Sequence, residues 1–128
     1  MMRGIRGATT VNSNDAQEIV DRSFELVKEM INNNNVSADD VATVLFSVTE
    51  DLNATFPAKS LRKIKGWTYV PVMCMQEIPV PESLHKCIRV MMTVNSTTAQ
   101  QDVKHVYHYG AKALRPDLEQ VRSDRLES

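Results

Sequence analysis

Arg89 is the one charged residue in an otherwise apolar run, residues 87–94, that alternates as a β-strand does. One face of this predicted strand carries four apolar side chains, which are Ile88, Val90, Met92 and Val94. These side chains specify a core, whereas Arg89 lies on the opposite face among Cys87, Met91 and Thr93. That face is too apolar to hold a guanidinium without a partner. An internal carboxylate, a neighbouring subunit and an anionic ligand are all open as that partner.

Two further groups of basic residues have both a plain and a functional interpretation. Arg6 lies between Gly4 and Gly7 in a predicted strand, which indicates either a backbone that something approaches closely or a frayed edge strand with a solvated arginine. Lys59 and Arg62 are three residues apart on a predicted short helix. They form either a solvated surface or a cationic lid over an anion.

Most common catalytic arrangements are missing from the sequence. The serines have no GxSxG context, the glycines form no phosphate-binding loop, and the three histidines are not spaced as metal ligands. The cations Arg6, Arg62 and Arg89 remain, with Glu77, Tyr107 and Cys74 as polar companions. This set suits the binding of a small polyanion in a partly apolar pocket, where guanidinium groups grip carboxylates.

The composition is that of an ordinary globular domain. The 128 residues fit one domain with a real core, 42% are hydrophobic and 24% are charged. A net charge of −1 predicts no bulk attraction to nucleic acid or to an anionic membrane. Without an apolar run of membrane length, the protein is expected in the cytoplasm. Two cysteines without metal spacing predict neither a disulfide framework nor a zinc site.

Strands and helices alternate along the chain. Strands are predicted at residues 3–11, 41–48, 67–77, 87–94 and 104–109, a long helix at 14–32, and short helical pieces at 37–40, 57–64 and 97–102. Asn14 and Gln17 predict the cap of the long helix. In the last strand, alternation places His105, Tyr107 and Tyr109 on one face. A charged, flexible tail is expected over residues 119–128.

Several ordered segments resemble the monofunctional chorismate mutases of the AroH class. The segments are residues 3–10 (RGIRGATT), 56–59 (FPAK), 66–67 (GW), 69–72 (YVPV), 74–77 (CMQE), 87–94 (CIRVMMTV), 105–107 (HVY) and 114–118 (LRPDL). The similarity is collinear from residue 2 to about residue 118. It therefore predicts one domain over residues 1–118.

The resemblance implies an α+β fold, with a mixed β-sheet flanked by one long helix and short helical segments. It also implies a homotrimer whose sheets form a pseudo-α/β-barrel, with active sites between subunits. The implied reaction is the intramolecular Claisen rearrangement of chorismate to prephenate, which requires no cofactor and no metal. This reaction is consistent with a sequence that shows no nucleophile motif.

The resemblance also implies roles for individual residues. Arg89 would donate to the ether oxygen and to a substrate carboxylate, and Arg6 would bind the side-chain carboxylate with help from Tyr107. Glu77 would accept a hydrogen bond from the ring hydroxyl, with Cys74 beside it. The other implied contacts are pocket walls (Phe56, Ala58, Val72), a lid (Lys59, Arg62) and a C-terminal segment (Leu114, Arg115).

Strict alternation would put Cys74 and Glu77 on opposite faces of their strand. Either the strand bulges or ends between them, or one of the two contributes only its backbone. Two other functions stay open at this point. One is a non-catalytic, trimeric module that binds an anionic metabolite, and the other is an imine or enamine hydrolase of similar trimeric architecture.

Overall fold

The computed structural model describes residues 1–114, which form one mixed β-sheet with a single long helix on one face. The strands are β1 (Met2–Thr10), β2 (Val41–Val48), β3 (Val72–Gln76), β4 (Cys87–Asn95) and β5 (Val106–Tyr107), and the helix α1 is Ala16–Asn34. Four short 3₁₀ helices cover Ala38–Asp40, Pro57–Lys63, Gln100–Asp102 and Tyr109–Leu114. The predicted tail and Arg115 lie outside the described residues.

The strand that carries Arg89 is the central strand of the sheet. The strand order is β3-β2-β4-β1-β5, and β4 pairs antiparallel with both β1 and β2. The two outer pairs, β2 with β3 and β1 with β5, are parallel. The predicted mixed sheet with one long helix is therefore confirmed, and Arg89 lies opposite Ala8 on one side and Ser47 on the other.

Helix α1 covers the face to which Ile88, Val90, Met92 and Val94 point, and all four are buried, as their alternation predicted. From the helix, Ile19, Leu26, Val27 and Met30 are buried in the same core. Gly7 lies beneath α1, where an added Cβ would collide with the Met30 sulfur and lie 3.2 Å from Leu26 Cδ1. The glycines beside Arg6 indicated that something approaches the backbone closely. At Gly7 this close approach is made by helix α1, which packs on β1.

The cap of α1 lies one residue later than predicted. Asp15 is the N-cap and accepts a hydrogen bond from the Glu18 backbone N–H at 2.9 Å. The Glu18 carboxylate accepts from the backbone N–H groups of Asn12 and Ser13, each at 3.0 Å. The bond from Asn12 contributes most to holding the pKa of Glu18 below its ordinary value. Asn14 instead accepts from the backbone of the 53–54 loop.

Two predicted strands are shorter in the structure. The 67–77 segment pairs only over Val72–Gln76, because Trp67 turns into the core and Pro71 has no N–H for the ladder. β3 is an edge strand, as Pro71 indicated. The 104–109 segment is a strand only over Val106–Tyr107, since Tyr109 has a φ of 52° and begins a 3₁₀ helix. Tyr109 therefore does not continue the strand face that carries Tyr107.

Within residues 1–114, no helix is both long and apolar enough to cross a membrane.

Candidate active site

The sheet face opposite α1 carries a cleft of about 390 Å³. Strand register places Arg6, Ala8, Ser47 and Arg89 together on this face. The side chains around the cleft come from all five strands and from the last 3₁₀ helix, and they include Arg6, Ala8, Leu45, Ser47, Met75, Arg89, Met91, Tyr107 and Leu114. Four of the predicted site residues, Arg6, Arg89, Tyr107 and Leu114, thus line a single cleft.

Arg89 has an internal carboxylate partner, Glu77. The Arg89 Nε lies 3.5 Å from Glu77 Oε2, and the Ser47 hydroxyl donates to the same oxygen at 2.8 Å. The Glu77 backbone N–H donates to the carbonyl of Val48, which fixes the carboxylate at the end of β3. The Arg89 side chain is 45% exposed, and a guanidinium has five N–H donors, so the pairing is compatible with an additional anionic ligand.

Cys87 lies on the same strand face as Arg89 but is only 1% exposed. Burial raises the pKa of the Cys87 thiol, and the nearby Arg89 opposes this shift only in part. The thiol therefore stays neutral near pH 7, and it does not cancel the positive charge of Arg89.

Arg6 lies diagonally across the β1–β4 ladder from Arg89, because Arg6 pairs with Met91 and Ala8 pairs with Arg89. Residues two apart on the same strand face are within reach of long side chains. Ala8 also pairs with Tyr107 of β5. The backbone N–H of Arg6 donates to His105 Nδ1 at 2.9 Å, which ties β1 to the residue before β5.

A second cleft, of about 580 Å³, lies beside β3 and the Pro57–Lys63 helix. It is lined by the other predicted contact residues, which are Phe56, Ala58, Lys59, Arg62, Val72 and Cys74. Burial raises the pKa of the Cys74 thiol above its ordinary value, although the backbone N–H of Ala58 opposes this shift. A neutral thiol in this setting is a polar wall group rather than a nucleophile.

Cys74 lines the second cleft, whereas Glu77 lines neither cleft and bonds to Ser47, a lining residue of the first. Cys74 pairs with Phe46 of β2 and packs against the core on the α1 side. β3 ends at Gln76, and Glu77 then bonds to Ser47 on the opposite side of the sheet. The two residues therefore lie on opposite faces, as strict alternation predicts, and the end of β3 at Gln76 does not bring them onto one face.

The C-terminal 3₁₀ helix, Tyr109–Leu114, is held against α1. His108 pairs with Glu29, the Tyr109 hydroxyl donates to Glu25 at 3.2 Å, and the Arg22 guanidinium lies 3.8 Å from the centre of the Tyr109 ring. These contacts fix the segment that brings Leu114 to the first cleft.

Sequence reasoning did not assign a role to Ser47 or Met75. Ser47 bonds to Glu77 and lines the first cleft, and Met75 lines it from β3. Alternation along residues 41–48 places Ser47 on the sheet face opposite that of its buried neighbour Phe46. Assigning Ser47 to the site also requires knowing that β2 lies beside β4. In the part of the chain that the structure describes, no group of three or more His, Cys, Asp or Glu side chains is arranged to hold a metal ion.

Comparisons with known proteins agree on one family. The family model for chorismate mutase type I matches residues 2–118. Chorismate mutase AroH of Bacillus subtilis is 47% identical over 98% of this chain and 99% of its own length. The Thermus thermophilus protein of the same name is 44% identical over 95% of this chain and 100% of its own length. A solved structure, chorismate mutase from Clostridium thermocellum, is 53% identical with a TM-score of 0.82, covering 85% of this chain and 96% of that one.

Proposed function

The chain belongs to the chorismate mutase type I family, and we propose that it catalyses its reaction where the first cleft of one subunit meets the second cleft of a neighbour. It is an isomerase of aromatic amino acid biosynthesis that converts chorismate to prephenate. A non-catalytic anion-binding module is not favoured, because the named relatives at 44–47% identity are chorismate mutases over nearly their full length.

The reaction sets two physical tasks for the protein. The enolpyruvyl side chain must be held over the ring in the reactive conformer, and negative charge that grows on the ether oxygen must be stabilised as the carbon–oxygen bond breaks. No nucleophile takes part in such a pericyclic step. The site therefore needs fixed cations and a shape that complements the reactive conformer. It does not need a thiolate, so the raised pKa values of Cys74 and Cys87 are compatible with the reaction.

The observation that carries the proposal is the position of Arg89. Its guanidinium lies at the centre of the uncovered sheet face and is oriented through Nε by Glu77, which Ser47 holds in turn. A cation held by such contacts needs little reorganisation when charge develops on a nearby oxygen. We assign Arg89 as the donor to the ether oxygen and to one substrate carboxylate.

The remaining groups in the first cleft, and Glu77 beside it, suit the other polar parts of chorismate. Arg6, diagonal to Arg89 on the same face, would bind the side-chain carboxylate, and the Tyr107 hydroxyl would assist. The half-buried carboxylate of Glu77 would accept a hydrogen bond from the ring hydroxyl. Leu114 would close the apolar side of the cleft.

The second cleft would supply the complementary wall from a neighbouring subunit. Phe56, Ala58, Val72 and Cys74 would form an apolar wall, and the exposed Lys59 and Arg62 would form a cationic lid. Neither cleft alone contains all the predicted contacts, since Arg6 and Arg89 line one and Lys59 and Arg62 line the other. A site between subunits accounts for this division.

A homotrimer with a pseudo-α/β-barrel would also cover the exposed apolar groups beside the first cleft. Met73 is 64% exposed and Met75 is 43% exposed on the sheet face that α1 leaves open. Exposed apolar groups on a sheet face of this kind are typical of interfaces between identical chains. One domain over residues 1–118 is supported by the extent of the family match, and a cytoplasmic location stays a prediction.

The activity is tested by mixing the purified protein with chorismate and following the loss of the diene absorbance. We expect first-order conversion to prephenate well above the uncatalysed rate, with no added metal or cofactor. A rate equal to the uncatalysed one would refute the proposed function. Binding of chorismate without conversion would instead support the non-catalytic module.

Arg62→Ala is expected to raise KM by roughly threefold to tenfold and to change kcat little, because a lid contact stabilises the ground and transition states alike. Steady-state kinetics with chorismate measure both constants. Lys63→Ala is the matched control, since Lys63 lies on the same helix but pairs with Asp21 at 3.4 Å outside the cleft. A collapse of kcat at unchanged KM in Arg62→Ala would contradict a lid role.

A further inference from the structure

Asp51 lies just beyond β2 and binds the start of the strand that carries Arg89. Both of its carboxylate oxygens accept from the Lys86 backbone N–H, at 3.2 and 3.0 Å. The Thr49 hydroxyl donates to Asp51 Oδ1 and accepts from the Cys87 backbone N–H at 3.0 Å. Asp51 and Thr49 together therefore engage the two backbone N–H groups that open β4.

The backbone of Lys86 is strained, and it needs stabilising contacts of this kind. Lys86 has a φ of 48°, in the left-handed region that residues other than glycine rarely adopt. Its carbonyl accepts from the Val11 N–H, just beyond β1, and the Cys87 carbonyl accepts from the Thr49 N–H beyond β2. The ends of β1 and β2 and the start of β4 thus meet at one junction. Asp51 stabilises Lys86, the strained residue of this junction.

Arg89 is two residues beyond Cys87, on the same strand face. We propose that Asp51 is a positioning residue for the rearrangement: it fixes the turn into β4 and thereby sets where the Arg89 guanidinium projects into the cleft. This inference rests on the proposed role of Arg89. Asp51 is not among the residues that line either cleft, so its action would pass through β4.

The strand itself does not depend on Asp51. Ile88, Val90 and Met92 are buried in the core beneath α1, and β4 pairs with strands on both sides. Loss of Asp51 would therefore release the first residues of β4 while the core holds the rest. The core holds the Arg89 backbone, but the Arg89 side chain contacts the Cys87 thiol, so the expected result is a displaced Arg89 guanidinium in a folded protein.

Protonation of the Asp51 carboxylate should weaken its hydrogen bonds at the start of β4. Burial raises the pKa of Asp51, but hydrogen bonds from the Thr49 hydroxyl and the Lys86 N–H outweigh it and hold the pKa below its ordinary value. His85 Nδ1 lies 3.8 Å away and acts in the same direction, and the Cys87 thiol is a further titratable neighbour, as is Lys86 itself. A lowered pKa means that the contribution is present at neutral pH and is lost as the pH falls through the folded-state value.

The test is a double-mutant cycle between Asp51 and Arg89. In the otherwise native protein, Asp51→Ala is expected to lower kcat by roughly tenfold, because a small misplacement of a reacting or stabilising group is costly. In an Arg89→Ala background the same substitution should change kcat by less than about twofold, since contacting or coupled residues are not additive. Asp39→Ala, which removes an exposed carboxylate far from the junction, is the matched control and should leave kcat unchanged.

Asp51→Asn provides a second variant that keeps the side-chain shape and one acceptor for the Lys86 N–H. It should retain more kcat than Asp51→Ala, and the wild-type advantage over Asp51→Asn should shrink as the pH falls through the Asp51 pKa. If Asp51→Ala does not fold, the cycle is run with Asp51→Asn. An equal loss in both backgrounds, or no loss in the native one, would overturn the proposal.

A spectroscopic measurement separates this proposal from the proposed function. The ¹⁵N NMR signal of Arg89 Nε–H reports the pairing with Glu77 and is assigned by its disappearance in Arg89→Ala. We expect this signal to shift or broaden in Asp51→Ala and to stay in place in Asp39→Ala. An unchanged signal would refute the positioning role, whereas absence of turnover in the native protein would refute the proposed function alone.

Discussion

Arg89→Ala is expected to lower kcat by at least about 10²-fold, the scale for losing one preorganised donor to a developing oxyanion. The loss falls on kcat because the ether oxygen becomes negative only as the bond breaks, so this contact is stronger in the transition state than in the bound substrate. Steady-state measurement of chorismate loss gives kcat and KM separately. A variant that keeps its turnover and only binds more weakly would make Arg89 a group that positions the substrate.

The variant should stay folded, which keeps the kinetic result interpretable. Arg89 is half-exposed on the open face, whereas the buried side of β4 is untouched by the substitution. Glu77 keeps its bond from Ser47 and is 30% exposed, so its charge is not left buried without a partner. Circular dichroism and thermal unfolding should therefore show a native-like protein.

Two controls define the source of the effect. Arg3→Ala removes a guanidinium from β1 that donates to the Thr98 carbonyl at 2.8 Å and does not line the first cleft. It should leave kcat near the native value. Arg89→Lys keeps a positive charge but not the planar fork that pairs through Nε with Glu77, and we expect most of the loss to persist.

The two faces of β4 could be predicted from the sequence alone, because four apolar residues at a period of two can be buried on only one side of a sheet. It was less accurate for the cap of α1, since Asn14 with Gln17 and Asp15 with Glu18 satisfy the same spacing. Only tertiary contacts decide between them, as Asn14 binds the 53–54 loop. Trp67 likewise has strand propensity, but its burial in the core ends the extended segment.

The predicted site residues are divided between two clefts because of the sheet order, which residue spacing does not reveal. Cys74 and Glu77 lie on opposite sides of the sheet, as alternation over three residues predicts, but their spacing does not reveal which strands border each side. Arg6 and Arg89 are far apart in sequence and become diagonal neighbours through the β1–β4 register. The resemblance implied these residues as one group, whereas their distribution between two clefts of one chain could be read only from the fold.

The second large effect is expected from mixing two inactive variants. Arg89→Ala damages the first cleft, and Lys59→Glu damages the second by placing a carboxylate where an anionic substrate would bind. Lys59 is exposed, so the charge reversal should not impair folding. We expect it to lower kcat/KM on the order of 10²-fold, because it replaces an attraction by a repulsion of similar size. Each variant alone is then nearly inactive.

Co-expression of the two chains in equal amounts, with one affinity tag common to both so that every oligomer is recovered, gives a random mixture. If each site joins the first cleft of one subunit to the second cleft of the next, random mixing in a cyclic trimer restores about a quarter of the sites. A native site forms wherever the Lys59→Glu chain supplies Arg89 and the Arg89→Ala chain supplies Lys59. If every site lay within one chain, no chain would hold both native residues, and no activity would return.

A chain carrying both substitutions, co-expressed with the native chain, distinguishes these geometries a second time. Sites shared between subunits again leave about a quarter of all sites native, whereas sites within a chain leave about half, because every native chain then keeps its own site intact. The two mixtures should therefore have equal activity if the site is shared. Unequal activities, with none in the first mixture, would place Arg89 and Lys59 in the same subunit's site and would remove the reason for a trimer that the two separate clefts provide.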